Sequence, residues 1–200
     1  MKHRRLDLRR RLDAVTFAQA GYFTAAQART VGYSYQAQKY HADTGSWVRA
    51  RRGLFRLAGW PDEPDDEYVR ATLWSRSLGV VSHDSALAVH GLSDVEPTAI
   101  HLSVPPGFRA KDPTVVTHHQ TVPAADIEQR RAWQVTTPLR TLADVAADDL
   151  SQEHVNRAVS DALTRGLTTR RAVTHRASQL PDRPALRLER ALTAATHVDL

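Results

Sequence analysis

The stretch from Gly21 to Leu57, GYFTAAQARTVGYSYQAQKYHADTGSWVRARRGLFRL, constrains this chain more than any other, because its caps and turns fall at short fixed spacings. Thr24 is placed to cap a helix while Gln27 reaches back to the cap's own amide, and Phe23 can staple against Ala28. A helix is therefore predicted to start at Thr24 and run through Val31. Gly32 supplies the left-handed residue that ends helices without a Cβ penalty. Ser34 then caps a second helix, which leaves only Gly32 and Tyr33 for the turn. That is a helix-turn-helix connection.

The second helix, Tyr35 to Asp43, divides into two sides when its residues are spaced at about 100° each. Tyr35, Gln36, Lys39 and Tyr40 share one side, and all can donate or accept hydrogen bonds. Ala37, Gln38, His41 and Ala42 share the other, which should be buried, although Gln38 and His41 are poor core residues. A solvated helix face is the ordinary explanation of the first side. The next segment argues for more.

After Gly45, Trp47 to Ala50 alternates in polarity, Arg51-Arg52-Gly53 turns, and Leu54 to Leu57 returns, so a β-hairpin is predicted with two arginines at its tip. Ordinary turns carry Asn, Asp, Ser or Gly. Clustered guanidinium groups suit phosphate contact better, since each can fork onto two oxygens. Two helices, a tight turn and a basic hairpin outline a winged helix-turn-helix, a fold that holds one helix in the major groove of DNA.

Charge points the same way once divided along the chain. Residues 1–60 hold 12 Lys and Arg against 3 Asp and Glu, a net of +9, while the other 140 residues carry −4 of the total +5. Lys2, Arg4, Arg5, Arg9, Arg10 and Arg11 precede or open a helix striped by Leu8, Leu12 and Val15, the first of three in such a domain. A basic module of this kind is what a phosphate-binding surface needs. In the DNA reading, Tyr35, Gln36, Lys39 and Tyr40 enter the groove, with Gln36 suited to adenine. Arg49, Arg51 and Arg52, with Arg4, Arg5 and Arg9, grip phosphates.

The absence of cysteine excludes disulfides, thiolate metal sites and a cysteine nucleophile. The N-terminus lacks an apolar signal region and no run reaches the ~18 residues of a membrane span, so a cytoplasmic protein is expected. GWPDEPDDE, from Gly59 to Glu67, reads as a junction, dividing the chain into domains 1–60 and 61–200. Beyond it, helices are predicted over Tyr68 to Leu78, up to His90-Gly91, from Pro138, around Val155 to Leu163, over Arg170 to Ala177 and over Pro184 to Thr196. Strands are predicted at Ile100 to Val104, Val115 to His119 and Trp133 to Val135. The expected class is α+β and helix-rich: a winged helix-turn-helix followed by a mixed α+β domain.

Catalytic patterns fail on geometry. His83, Asp84 and Ser85 are neighbours on a helix and point about 100° apart, so they cannot act in series. His83 and His90 share a helix face without a third ligand at metal spacing, and His118 and His119 point to opposite faces of a strand. Arg140 and Asp144, at i and i+4, read as a helix-surface ion pair. No cofactor, no metal and no enzymatic activity are expected.

The winged segment, with its aromatic-Thr-Ala-Ala-Gln-Ala, Gly-Tyr-Ser and Arg-Arg-Gly-Leu-Phe-Arg-Leu motifs, resembles the N-terminal domain of the AbiEi-type antitoxins. Ser82-His83-Asp84-Ser85-Ala86 leading to His90-Gly91-Leu92, and Thr136-Thr137-Pro138-Leu139-Arg140-Thr141-Leu142-Ala143-Asp144, are similar to later segments of the same actinobacterial group. The chain departs from that pattern at Gln38 and His41, where the family usually has aliphatic residues.

The resemblance implies an antitoxin of a bacterial toxin–antitoxin pair. Such a protein represses its own promoter, double-stranded DNA with inverted repeats, and antagonises a nucleotidyltransferase-type toxin through its C-terminal domain. Some relatives continue into a nuclease domain, which is not expected in a chain of 200 residues. Arg170, Arg171, Arg176, Arg183, Arg187 and Arg190 either dock an acidic toxin surface or are plain helix-surface charge. A stand-alone winged-helix regulator, and an antitoxin that modifies its toxin enzymatically, remain the alternatives.

Overall fold

The computed structural model describes residues 2–196, with side chains from Arg5 onward, and the chain divides into two compact units. The first runs to Ser77 and takes in Gln129–Trp133; the second comprises Leu78–Glu128 and the chain from Gln134 onward. The boundary thus lies beyond residue 60, where sequence alone sets it. The two units together form a helix-rich α+β protein with two sheets.

In the first unit the elements are α1 (Lys2–Ala18), β1 (Tyr22–Thr24), α2 (Ala25–Val31), α3 (Tyr35–Asp43), β2 (Trp47–Arg51), β3 (Leu54–Leu57) and α4 (Asp66–Trp74). The cap at Thr24 forms as expected. Its hydroxyl accepts from the Gln27 amide at 3.1 Å, while Gln27 Oε1 accepts from the Thr24 amide at 2.8 Å. Gly32 ends α2 at φ +120°, and a Cβ there would meet Leu8 Cδ2 at 2.8 Å, so glycine also lets α1 approach the turn.

The strands β1, β3 and β2 form an antiparallel sheet in that order, with Phe23 opposite Phe55 and Trp47 opposite Leu57. Strand β1 has no signal of its own in the sequence. Three residues become a strand only because β3 pairs with them. Behind the sheet, Leu12, Phe23, Ala28, Trp47 and Phe55 form one buried cluster, with Phe23 edge-on to Trp47 at 4.7 Å. Helix α4 belongs to this unit rather than to the second. It begins two residues before the expected Tyr68 and ends at Trp74 rather than Leu78.

In the second unit, β4 (Val80–Val81), β5 (Ile100–Val104), β6 (Val115–His119), β7 (Ile127–Gln129, whose last residue begins the segment assigned to the first unit) and β8 (Gln134–Thr136) form a mixed sheet ordered β6-β5-β4-β8-β7. Helices α5 (His83–His90), α6 (Pro138–Ala147), α7 (Gln152–Thr164), α8 (Arg170–Ala177) and α9 (Asp182–Thr196) share a core that includes Leu87, Leu142, Val155, Val159 and Leu188. Thr137 caps α6 through the Arg140 amide, with Pro138 in the first turn where its missing N–H costs nothing. Among the described residues no helix is long and apolar enough to cross a membrane.

Candidate nucleic-acid interface

Helix α3 buries one side and exposes the other along the division its sequence draws. Gln38 is 3% exposed, whereas Tyr35 and Tyr40 are 65% and 64% exposed, and Gln36 and Lys39 lie beside them on the open side. An exposed pair of tyrosines five residues apart, with an amide and an ammonium, offers donors, acceptors and flat apolar surface together. Lys39 also reaches Asp43 at 2.7 Å, a surface pair that is easily exchanged for another anion.

The two doubtful core residues have specific work. Gln38 Nε2 donates to the carbonyls of Ala25 and Tyr33, both at 3.2 Å, so its amide links α3 to the start of α2 and to the turn. His41 stacks on Trp47, with ring centroids 4.7 Å apart and planes at 15°, and meets Tyr33 edge-on. Burial holds its pKa below the usual histidine value, with Arg9 adding to the effect, which keeps the ring neutral against the indole.

Beside α3, the β2–β3 hairpin forms with Arg52 in its turn, whereas Arg51, expected at the tip, is the last residue of β2 and pairs with Leu54. Arg49 is exposed and lies over the Phe55 ring at 5.4 Å, Arg52 is exposed in the turn, and Arg51 is half-buried. Arg51, Arg52, Arg76 and the first residues of α2 line a groove of about 700 Å³ within the same unit. Arg5 and Arg9 are exposed on α1, where Arg9 lies 3.9 Å from Asp13; the side chain of Arg4 falls outside the described residues.

Two cations that sequence reasoning passed over join this surface. Arg29, in the last turn of α2, lies over the Tyr35 ring at 4.5 Å and so stands at the front of α3. Arg76, in the groove, follows α4 in a left-handed conformation at φ +59°. The basic residue at the end of α2 was visible in the chain. Its place against Tyr35 depends on the turn angle and was not.

The six arginines that the sequence offers for a toxin surface separate into two groups. Arg187, 9% exposed, donates to the carbonyls of Ala146, Asp148 and Leu150 and thereby satisfies the open end of α6. Arg176 pairs with Asp126, and Arg170 holds the Leu192 carbonyl at 2.8 Å. These three serve the fold's own polar groups, a role that a cluster read from sequence does not reveal. Arg171, Arg183 and Arg190 are exposed.

Arg140 and Asp144 are likewise no surface pair. Asp144 is 6% exposed, its Oδ1 accepts from Arg140 Nε at 2.8 Å, and Arg140 also reaches Gln120 at 2.9 Å and Asp126 at 3.3 Å. Burial raises the Asp144 pKa while Arg140 opposes the rise. The helix-surface reading fails because Gln120 and Asp126 come from segments far from α6 in sequence. His90, paired in sequence with His83, instead approaches the Thr136 carbonyl at 2.7 Å, and the Ser85 hydroxyl is held by the His101 amide at 2.9 Å.

No protein-family model matches this chain, and no curated protein matches it. Its fold is similar to that of the RV2827C protein from Mycobacterium tuberculosis, known as a crystal structure: TM-score 0.65, 15% identity, with 92% of this chain and 75% of that one covered. At that identity the likeness speaks for architecture across nearly the whole chain.

Proposed function

We propose that the first unit is a winged helix-turn-helix and that the protein is a DNA-binding transcriptional regulator of the AbiEi antitoxin type. The observation that carries the DNA reading is α3: one side is fixed in the core by Gln38 and His41, and the other presents Tyr35, Gln36, Lys39 and Tyr40. Arg49 and Arg52 on the hairpin and Arg5 and Arg9 on α1 are exposed as well, and would supply the basic surface around that helix. Gln36 would read adenine through N6 and N7, and the arginines would hold phosphates.

About five phosphate contacts imply a slope of log affinity against log salt near −4 to −5. Fluorescence anisotropy on a duplex from the gene's own promoter measures it. The Arg51→Ala, Arg52→Ala double variant should flatten that slope by about two and weaken all duplexes alike, whereas Gln36→Ala should mainly lose discrimination. A salt-independent affinity, or one unchanged in the double variant, would falsify the DNA reading.

The second unit would neutralise a nucleotidyltransferase-type toxin, with exposed Arg171, Arg183 and Arg190 available to an acidic surface. Co-expression of the full chain with the product of the neighbouring gene tests this part. Rescue of growth that survives the hairpin substitutions and fails in Arg171→Glu, Arg190→Glu supports it; rescue indifferent to those two reversals removes these arginines from the partner surface.

A further inference from the structure

Three imidazoles converge on one face of the second unit's sheet. Strands β5 and β6 run parallel, with His101 opposite Val116 and Ser103 opposite His118, so alternation puts His101, Ser103 and His118 on a common side. His83, the first residue of α5, reaches the same place: its ring lies flat against His118, with centroids 3.4 Å apart and planes at 9°. Asp148, which ends α6, brings its carboxylate to 4.0 Å from His118 Nδ1. One ligand atom from each of His83, His118 and Asp148 lies within 4.8 Å of those of the other two.

The DNA and toxin readings leave this cluster without a use. It is also costly to build. His83 is 5% exposed and sits at φ +51°, a left-handed conformation that side chains other than glycine adopt at a cost. The surroundings sort the ring nitrogens. His83 Nδ1 is 2.9 Å from Ser82 Oγ, and His118 Nε2 is 3.2 Å from His101 Nδ1. When each histidine donates its proton across these contacts, lone pairs remain on His83 Nε2 and on His118 Nδ1, the nitrogen that faces Asp148. Metal-bound histidines are held by such outer partners.

We infer that His83, His118 and Asp148 form a binding site for a divalent transition-metal ion, with Zn²⁺ the ion that fits the donors best. Two imidazoles and one carboxylate suit zinc, whereas Mg²⁺ and Ca²⁺ call for oxygen ligands throughout. Zinc–ligand bonds of about 2.0–2.2 Å set ligand atoms roughly 3.4 Å apart, so the three groups close inward on the ion. Imidazole lone pairs lie in the ring plane, so the stacked rings tilt apart around it. The side chains of His118 and Asp148, 18% and 39% exposed, have room to move. Three protein ligands leave a fourth position to water. The ion would join the start of α5, strand β6 and the end of α6, three segments that the chain brings together from far apart.

The test uses tag-free full-length protein, stripped with EDTA, exchanged into buffer and titrated with ZnCl₂ by calorimetry. One Zn²⁺ per chain is expected, together with a rise in melting temperature that an equal concentration of MgCl₂ does not produce. Asp148→Asn, a small change at a part-exposed helix end, should weaken Zn²⁺ at least about tenfold, and His118→Gln more. His101→Gln, which removes only the outer partner, should cost about 10–100-fold while the visible spectrum of the Co²⁺-loaded protein keeps its bands. Circular dichroism establishes that each variant is folded. Absence of stoichiometric Zn²⁺ binding by the wild type, or equal affinity in folded Asp148→Asn and His118→Gln, overturns the site.

Discussion

Gln38 shows how a residue that looks wrong for a core can specify it. Its side-chain amide bonds two carbonyls across the turn, fixing the angle at which α3 leaves α2. Leucine would fill similar volume without those bonds. We expect Gln38→Leu to cost about 1–3 kcal/mol, read from urea denaturation of the first unit, and to weaken DNA binding beyond the effect on folding. His41 carries a pH consequence. Its folded pKa lies below that of the unfolded chain because burial against Trp47 penalises the imidazolium. The unfolded state therefore binds the proton first as pH falls below about 6.5, and the contribution of His41 to stability, complete above that pH, is lost as pH falls toward the folded pKa. Proton NMR of the imidazole should show His41 titrating below 6.5, and His41→Phe should reduce the loss of stability between pH 7 and 5.

Elements governed by local chemistry were legible in the sequence; elements created by distant partners were not. The ends of α3 follow from Ser34 and the apolar spacing, and α6 follows from Thr137 and Pro138, because a cap acts within four residues. Strands β1, β4 and β7 have two or three residues each and exist through the strands beside them. The same distinction runs through the sites. The open side of α3 repeats at helical spacing, so its residues could be named. The meeting of His83 with His118 depends on the pairing of β5 with β6, and the burial of Arg140 on Gln120 and Asp126, so spacing along the chain carried no trace of either. That buried network has a direct test. Arg140→Ala leaves Asp144 in the interior without its cation and Asp126 with Arg176 alone, and we expect a loss of about 3–5 kcal/mol in denaturant unfolding of the second unit. Arg140→Lys should recover part of it, since an ammonium restores charge but not the fork onto three partners.

At the scale of the molecule, the chain leaves the first unit after Ser77 and returns to it for the short segment Gln129–Trp133. That return adds substance to the first unit's core. Trp133 is 3% exposed and packs on Tyr68 of α4 at 4.7 Å, while Arg131 lies 3.3 Å from Glu63 and donates to the Phe17 carbonyl at 2.8 Å. The unit proposed to bind DNA is therefore not closed until more than half of the chain is in place, and a fragment ending at Ser77 lacks a buried tryptophan. Removing a buried tryptophan side chain costs about 3–5 kcal/mol. We expect Trp133→Ala in the full chain to increase amide hydrogen exchange in α4 and in β1, against which α4 packs, far more than in α7. DNA affinity should fall in step with the fraction of first unit unfolded. Equal acceleration in α7 would mean that the two units unfold as one, and unchanged exchange in α4 would mean that residues 129–133 add nothing to the first unit's stability.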